Sequence, residues 1–446
     1  MAKSVRQQHL NQPYEEPEVE AYSSYQRDIY SGLRPPRFST KPAEWEAAAR
    51  RAVAAPNFGY VFGSCGTGST YAANRAAFDD YRLRPRMLVN ATRRDLSVDL
   101  FGARHPHPLL VAPVGVQSIM HRDGEEATAR ACAKVGVPMI LSTAATRSIE
   151  QVAEANGEGS KRWYQLYWPR PQNEEVTASL LSRAKANGYS VLVVTLDTFA
   201  LAWRPTDLDH SYLPFIYGEG CEIGFSDPIF DEIYKDSAAA DPRSSSEKLR
   251  EAIDVLRRPG SIFGAAKVLT NLKHIAKARA WLGVMNSGTF RQWDHLKVLR
   301  KLWGDGPIVL KGIQSVQDAH LAIEYGMDGI IVSNHGGRQV DGAIASLDAL
   351  AEIGEDEKVK ASGLTVLFDS GIRTGSDVLK ALALGAKAVL VARPFMYGLA
   401  FGGQEGVEHV LRCLLADTDN MLGLVGKRSV QDLSRADLQF RKEVKL

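Results

Sequence analysis

Cysteine is scarce in this 446-residue chain. Its four examples, Cys65, Cys132, Cys221 and Cys413, lie far apart and form no Cys-x-x-Cys pair. That spacing excludes a disulfide framework and a zinc-ribbon site, so reduced thiols in a cytoplasmic protein, and no bound metal, are expected. An excess of one charge is lacking as well: 54 basic side chains meet 52 acidic ones, spread along the chain. Nucleic acid is therefore not an expected partner. No apolar run approaches a membrane span, so no membrane partner is expected. The opening Met1 to Leu10 lacks the hydrophobic core of a secretory signal. The final Val444-Lys445-Leu446 departs from a peroxisomal Ser-Lys-Leu end by its valine, which makes that address a weak one.

Apolar residues make up 45% of the chain, enough for a large core. Residues 1–40 are polar with scattered tyrosines and read as an arm on the surface or on a neighbouring subunit. Residues 41–446 read as one domain. Pro42 to Ala55 predicts a helix, with proline at its start and Trp45 on one face. The stretch Phe58 to Ser69 is rich in glycine but lacks the Lys-Ser/Thr of a P-loop, so a turn before a helix near Thr70 is expected.

From residue 108 short apolar runs alternate with longer helical stretches. The runs starting at Pro108, Pro138, Trp163, Val191, Ile308, Gly329, Thr365 and Ala388 predict eight strands. Strands separated by helices predict an α/β fold, a parallel (β/α)8 TIM barrel. The alternation breaks once, after the fourth strand, at about 205–289. A stretch that long leaving the catalytic end of a barrel is a lid candidate.

Catalytic groups of such barrels sit where the strands end. Here the sixth run meets Ser333-Asn334-His335-Gly336-Gly337-Arg338-Gln339, which places a base that titrates near neutrality three residues from a permanent cation. A capped turn with a surface ion pair is the plain alternative. The seventh and eighth runs end in Asp369-Ser370-Gly371-Ile372-Arg373-Thr374-Gly375 and Ala392-Arg393-Pro394. Glycine loops, a helix opening near Gly375 and two arginines suit a phosphate. Lys311 ends an apolar run and needs an anion if it is buried; otherwise it reaches to solvent.

The Ser333 to Gln339 segment resembles the active-site signature of the FMN-dependent α-hydroxy-acid oxidases and dehydrogenases. The likeness runs from about Trp45 to the C-terminus. It implies FMN as cofactor, held by Pro113, Val114, Gly115, Ser142, Gln165, Thr195, Lys311, Ser333, Asp369, Gly371, Arg373, Ala392 and Arg393. It implies His335 as base, oriented by Asp197. Tyr60, Arg204 and Arg338 would hold the substrate carboxylate, and Tyr167 would touch the hydroxyl-bearing carbon. Tyr60 read alone could equally be an amphipathic interface tyrosine. The expected partners are a small 2-hydroxy acid and O2, and the expected assembly is a homo-tetramer or homo-octamer.

Within the family, Asp197 to Leu208 and Tyr212 to Phe215 are most similar to lactate 2-monooxygenase, which implies L-lactate converted to acetate, CO2 and water. The alternative is an oxidase releasing the 2-oxo acid and hydrogen peroxide. Three departures stand out. Thr67-Gly68 replaces an Asp-Glu pair, Ala392 replaces a glycine, and Ala144 lies where the family often carries a larger side chain. The last allows a longer or aryl 2-hydroxy acid. A flavin-dependent isomerase or a partner-binding protein on the same fold are the rival functions; neither needs His335 together with two carboxylate clamps.

Overall fold

The computed structural model describes residues 21–32, 35–239, 272–286 and 288–441. Eight parallel strands close into a barrel: β1 (Leu109–Val111), β2 (Met139–Ser142), β3 (Arg162–Tyr167), β4 (Leu192–Thr195), β5 (Ile308–Ile313), β6 (Gly329–Val332), β7 (Thr365–Phe368) and β8 (Ala388–Val391). Each pairs with its sequence neighbours and β8 returns to β1. β1, β2, β4, β6, β7 and β8 are buried at every position. Strands covered on both faces favour continuous Val, Ile and Leu runs, which mark the others, whereas β3, Arg-Trp-Tyr-Gln-Leu-Tyr, is marked by its aromatic residues. Each strand except β4 leads to the next through one or more α-helices, with a short 3-10 turn coming first after β1, β3 and β6.

The ladder between β5 and β6 shifts register between Lys311 and Ile313, at Gly312. A β-carbon at Gly312, whose φ is +105°, would lie 2.9 Å from that of Asp197. Glycine thus lets the end of β4 pack directly on β5 and brings Asp197 into the barrel mouth.

Two expectations need amendment. Ala55–Phe62 is a helix, not part of a turn. Its proline in the first turn and its buried Phe58, Tyr60 and Val61 give it a start and an apolar face, and Gly63 ends it. Two antiparallel ribbons of three-residue strands were not anticipated: Tyr81–Leu83 with Leu438–Phe440, and Val98–Leu100 with Ala103–His105. The second covers the N-terminal end of the barrel, where Phe101 meets the Trp163 ring at 5.6 Å.

The Ser24–Tyr30 helix lies on this chain's own long C-terminal helix, Arg393–Leu424: the Ser23 amide donates to Asp419 (2.8 Å), and the Tyr25 hydroxyl meets His409 (2.8 Å). The rest of the expected arm, 1–20, lies outside the described residues, as does 240–271 of the expected lid. Among the described residues no helix is long and apolar enough to cross a membrane.

At the closed end of the barrel His107 is fully buried and packs edge-on against Tyr22 at 5.5 Å. Burial, then the neighbouring His105, pushes its pKa from 6.5 down to about 4. The unfolded chain therefore binds a proton that the folded one refuses, so stability falls as pH drops from about 6.5 to 4. The expected loss over that window is roughly 3 kcal/mol. Urea unfolding of the wild type and of His107→Gln at pH 7 and pH 4.5 checks it; the variant should lose less.

Candidate active site

The corner after β6 is built on backbone strain. His335, Gly336 and Gly337 have φ of 59°, 65° and 75°, three left-handed residues in succession. Histidine pays for that conformation; glycine does not. At Gly337 a β-carbon would lie 2.6 Å from the Tyr71 amide nitrogen, so the position is closed to a side chain. The corner is held by a reciprocal amide pair, Asn74 with Asn334 (2.8 and 2.7 Å), and by Asn334 accepting from the Gly337 amide. Val116 and Ser370 are also left-handed (φ 56° and 83°), and both lie in loops leaving barrel strands. Strain of this kind gathers at functional sites.

The His335 Nδ1–H donates to Asp197 Oδ1 at 2.8 Å. The Thr198 hydroxyl donates to the same oxygen (2.8 Å) and lies 3.1 Å from Nδ1. That fixes the tautomer and leaves Nε2 as the basic nitrogen of a ring that lines the barrel cleft. Asp197 Oδ2 is buried without a hydrogen-bond partner. Burial favours the neutral acid, but His335 and then Lys311 outweigh it and hold the carboxyl below its usual range. Burial lowers the His335 pKa, with Asp197 opposing and Lys311 reinforcing the shift.

Lys311 is buried, as expected if it had an anion. Its ammonium donates to Ser333 Oγ (3.0 Å) and pairs with Asp369 (3.3 Å). Burial alone would lower its pKa; Asp369 and Asp197 raise it instead. Ser333 Oγ also accepts from the His335 amide (3.1 Å), so base and lysine are tied through one hydroxyl.

One cleft runs across the barrel mouth, and with its open mouth it encloses about 1360 Å³ free of protein atoms. It is lined by Pro113, Val114, Gly115, Tyr60, Tyr167, Arg204, Lys311, His335 and Arg338, and at its other end by Asp369, Gly371, Arg373, Ala392 and Arg393. Ser142, Gln165, Thr195 and Ser333 are buried in the layer next to it, where the Gln165 amide donates to Thr195 Oγ1 (2.9 Å). Ala392 has a negative φ (−117°), so its methyl is accommodated.

Arg204 and Arg338 stand together beside Tyr60. Arg204 donates to the Arg338 carbonyl (3.0 Å) and to Gln339 (2.7 Å). Arg338 lies over the Tyr60 ring (5.2 Å) and donates to the Tyr60 and Gly63 carbonyls (2.6 and 2.8 Å). Burial and then Arg204 push the Arg338 pKa down, the mark of a cation pair short of an anion. Arg393 donates to the carbonyls of Val61, Phe62, Gly63 and Gly336, sharing Val61 and Gly63 with Arg338, and burial lowers its pKa too. A cleft lined by Arg204, Arg338, Arg373, Arg393 and the buried Lys311 fits a phosphate-bearing cofactor and a carboxylate substrate.

One part of the phosphate expectation fails. The helix opening at Gly375 is not a free donor: the Arg373 and Thr374 amides go to Asp377, and the Gly375 amide goes to Asp417. Gly371 and Ile372, a few residues earlier, line the cleft, and among the described residues no acceptor is found for their amides. The loop where Thr67-Gly68 stands is anchored instead on Asp341, which accepts from the amides and hydroxyls of Thr67 and Ser69 (2.7–3.0 Å).

Thr198, Asn74 and the roof residues Phe215, Gly220, Trp281, Leu282 and Met285 were not foreseen. Thr198 was within reach, since it follows Asp197. The others depend on contacts between distant segments.

Known proteins place this geometry. A family model described as FMN-dependent dehydrogenase matches residues 49–440. An FMN-dependent alpha-hydroxy acid dehydrogenase of Penicillium citrinum is 47% identical over 420 residues, 93% of this chain and 95% of that protein. An L-lactate oxidase of Lysinibacillus sphaericus is 38% identical over 391 residues, 88% and 90% of the two chains. Among solved structures, mandelate oxidase with (S)-4-hydroxymandelic acid superposes with a TM-score of 0.71 at 34% identity, over 90% of this chain and 98% of that one.

Replacing Gly337 by alanine puts a β-carbon into a left-handed position against the Tyr71 backbone. A loss of at least about 1–2 kcal/mol is expected, and His335 and Arg338 should be displaced together. Thermal unfolding and the spectrum of bound flavin, measured on Gly337→Ala, check both effects.

Proposed function

The chain belongs to the FMN-dependent dehydrogenase family, and from that premise we propose that it oxidises an L-2-hydroxy acid to the 2-oxo acid with dioxygen as the final acceptor. An FMN-dependent α-hydroxy acid oxidoreductase needs a base, a carboxylate socket and a cofactor bed, and the cleft supports all three roles. The observation that carries the reading is the 2.8 Å bond from His335 to Asp197, beside Arg204, Arg338 and Tyr60.

FMN, when bound, supplies a two-electron acceptor for the substrate α-carbon and hands those electrons to oxygen. Its phosphate would be held by Arg373, Arg393 and the amides at Gly371 and Ala392, and its ribityl chain by Asp369. Pro113, Val114 and Gly115 would lie against the ring, with Ser142, Gln165, Thr195 and Ser333 bonding its edge. Lys311 would stabilise negative charge there. The arginines and Tyr60 grip the carboxylate and Tyr167 bounds the α-carbon. Nε2 of His335 then takes the proton, and Asp197 stabilises the imidazolium that results.

The described parts of the insertion after β4 roof the cleft through Phe215, Gly220, Trp281, Leu282 and Met285. That cover supports the lactate 2-monooxygenase type, in which the 2-oxo acid meets peroxide before leaving; with lactate the products are acetate, CO2 and water. An oxidase releasing both is the second reading, favoured by the likeness to the Lysinibacillus sphaericus enzyme. Assembly into a homo-tetramer or octamer fits the exposed Trp203, Phe290 and Val340.

His335→Asn should bind FMN yet lose roughly 10²–10⁴ in the rate of anaerobic bleaching by L-lactate; normal bleaching would refute the base. In wild type the acid limb of kcat/KM should fall below pH 6.5, because burial holds the base neutral. Asp197→Asn removes the partner that raises the histidine pKa, so its limb should move lower still while the rate drops. Acetate against pyruvate plus peroxide, assayed in air, separates the two product readings.

A further inference from the structure

The cleft is asymmetric in a way that the carboxylate socket and cofactor bed do not require. Beyond Tyr60 its wall becomes mostly apolar, with Thr143 beside Ala144 and Asn286 after Met285 as polar neighbours. Phe215 lies edge-on to the Tyr60 ring at 6.3 Å. On its other side is Gly220, where a β-carbon would come within 2.7 Å of the Phe215 ring and 2.8 Å of the Ala144 carbonyl. Gly115 meets Ala144 just as closely: its missing side chain would lie 2.5 Å from the same carbonyl. Three small residues therefore stand together at the point where the wall turns upward. The roof is the Leu272–Met285 helix, which packs on the Pro214–Tyr217 turn and sends Trp281, Leu282 and Met285 to the cleft. Trp281 is seated against Gly224 and the Phe230 ring (4.9 Å), so this roof is braced.

Resting on the oxidase reading above, we propose that the chamber bounded by Ala144, Phe215, Gly220, Trp281, Leu282 and Met285 receives the substrate's side chain, and that the acid this protein oxidises carries a bulky apolar group, branched alkyl or aryl, on its α-carbon. None of the six carries a charge. A charged side chain entering there would be desolvated with no opposite charge among the six, and a methyl would leave most of the apolar wall without a partner. The carboxylate socket at Arg204 and Arg338 fixes the other end of the molecule, so the acid is held at one pole and sorted at the other. Ala144 sets the width of the chamber, and Leu282 and Met285 set its height.

The test uses the FMN-loaded protein. Values of kcat/KM are measured for lactate, 2-hydroxy-4-methylpentanoate, 3-phenyllactate and malate, all as L-acids. Binding of the unreactive 3-phenylpropionate and propionate is measured by calorimetry. The two apolar acids should exceed lactate at least about 10-fold, malate should be poorest, and 3-phenylpropionate should bind about 30-fold tighter than propionate. Ala144→Phe should cut the 3-phenyllactate to lactate ratio at least about 10-fold. If that variant fails to fold, Leu282→Trp, narrowing the roof instead, should move the ratio the same way. Lactate preferred over both apolar acids, malate turned over as well as they are, or an unmoved ratio in both variants would overturn the proposal while leaving the oxidase reading standing. No bleaching by any acid, with the 30-fold binding preference intact, would overturn the oxidase reading and uphold the apolar chamber.

Discussion

A carboxylate buried away from solvent, Asp197, lies between an imidazole and an ammonium, and the mouth of the barrel is arranged around that fact. Its side chain is 8% exposed, one oxygen is shared by His335 and Thr198, and the other has no hydrogen-bond partner. Such a charge is tolerable because the Lys311 ammonium stands near it and the His335 Nδ1–H and the Thr198 hydroxyl donate to it. Each of those neighbours is fastened in turn: Lys311 to Asp369 and Ser333, and the His335 backbone to Ser333. A further link runs from Asp369 through the Ser370 hydroxyl to the Gly336 amide. Four strand ends, β4 to β7, thus share one network. Loss of any member leaves a buried charge uncompensated, so the network specifies a single arrangement of the site.

That network also explains where backbone strain is spent. His335 must place its ring over the barrel axis side of β6 while its amide returns to Ser333, and only a left-handed turn does both. The glycines after it let the corner run flush against the Ser69–Ala76 helix, with which Asn334 exchanges amide bonds. The guanidinium groups of Arg338 and Arg393 then close over the carbonyls that end the Ala55–Phe62 helix, a position where cations complement the helix dipole. The sockets proposed for the substrate carboxylate and the phosphate are therefore braced by the same helix end. The helix that carries Tyr60 cannot shift without moving both.

Much of this was legible before any coordinates, and the reason is physical. Parallel strands buried on both faces favour unbroken apolar runs, so the barrel strands other than β3 announce themselves, and the polar residue that ends each run marks the mouth. His335, Lys311 and the two arginine loops could be singled out because a histidine, a lysine or an arginine at the end of such a run is costly without a partner. What stayed hidden depends on distance along the chain. The Gly375 amide is taken by Asp417, 42 residues later, and no local pattern discloses that. The three-residue ribbons are shorter than any periodic signal. Ala55–Phe62 was concealed by Gly59 and Gly63, whose turn character outweighed a one-sided apolar face only on paper.

The division between the legible and the hidden parts follows the division of labour in the site. Groups that handle protons and charge hang from strand ends, which the barrel's hydrogen bonds hold in register. Groups proposed to enclose the substrate's side chain come from loops and from the insertion, on a helix and a turn that owe their positions to each other and to Gly220, Gly224 and Ala144. The first set can tolerate almost no displacement, because its charges are desolvated and mutually dependent. The second set is apolar and braced by packing alone, so exchange of a few side chains there changes the space available without disturbing a single buried charge. A protein built this way can alter which acid it accepts while its proton chemistry stays fixed, since the two properties reside in parts of the fold that share a boundary but not a network.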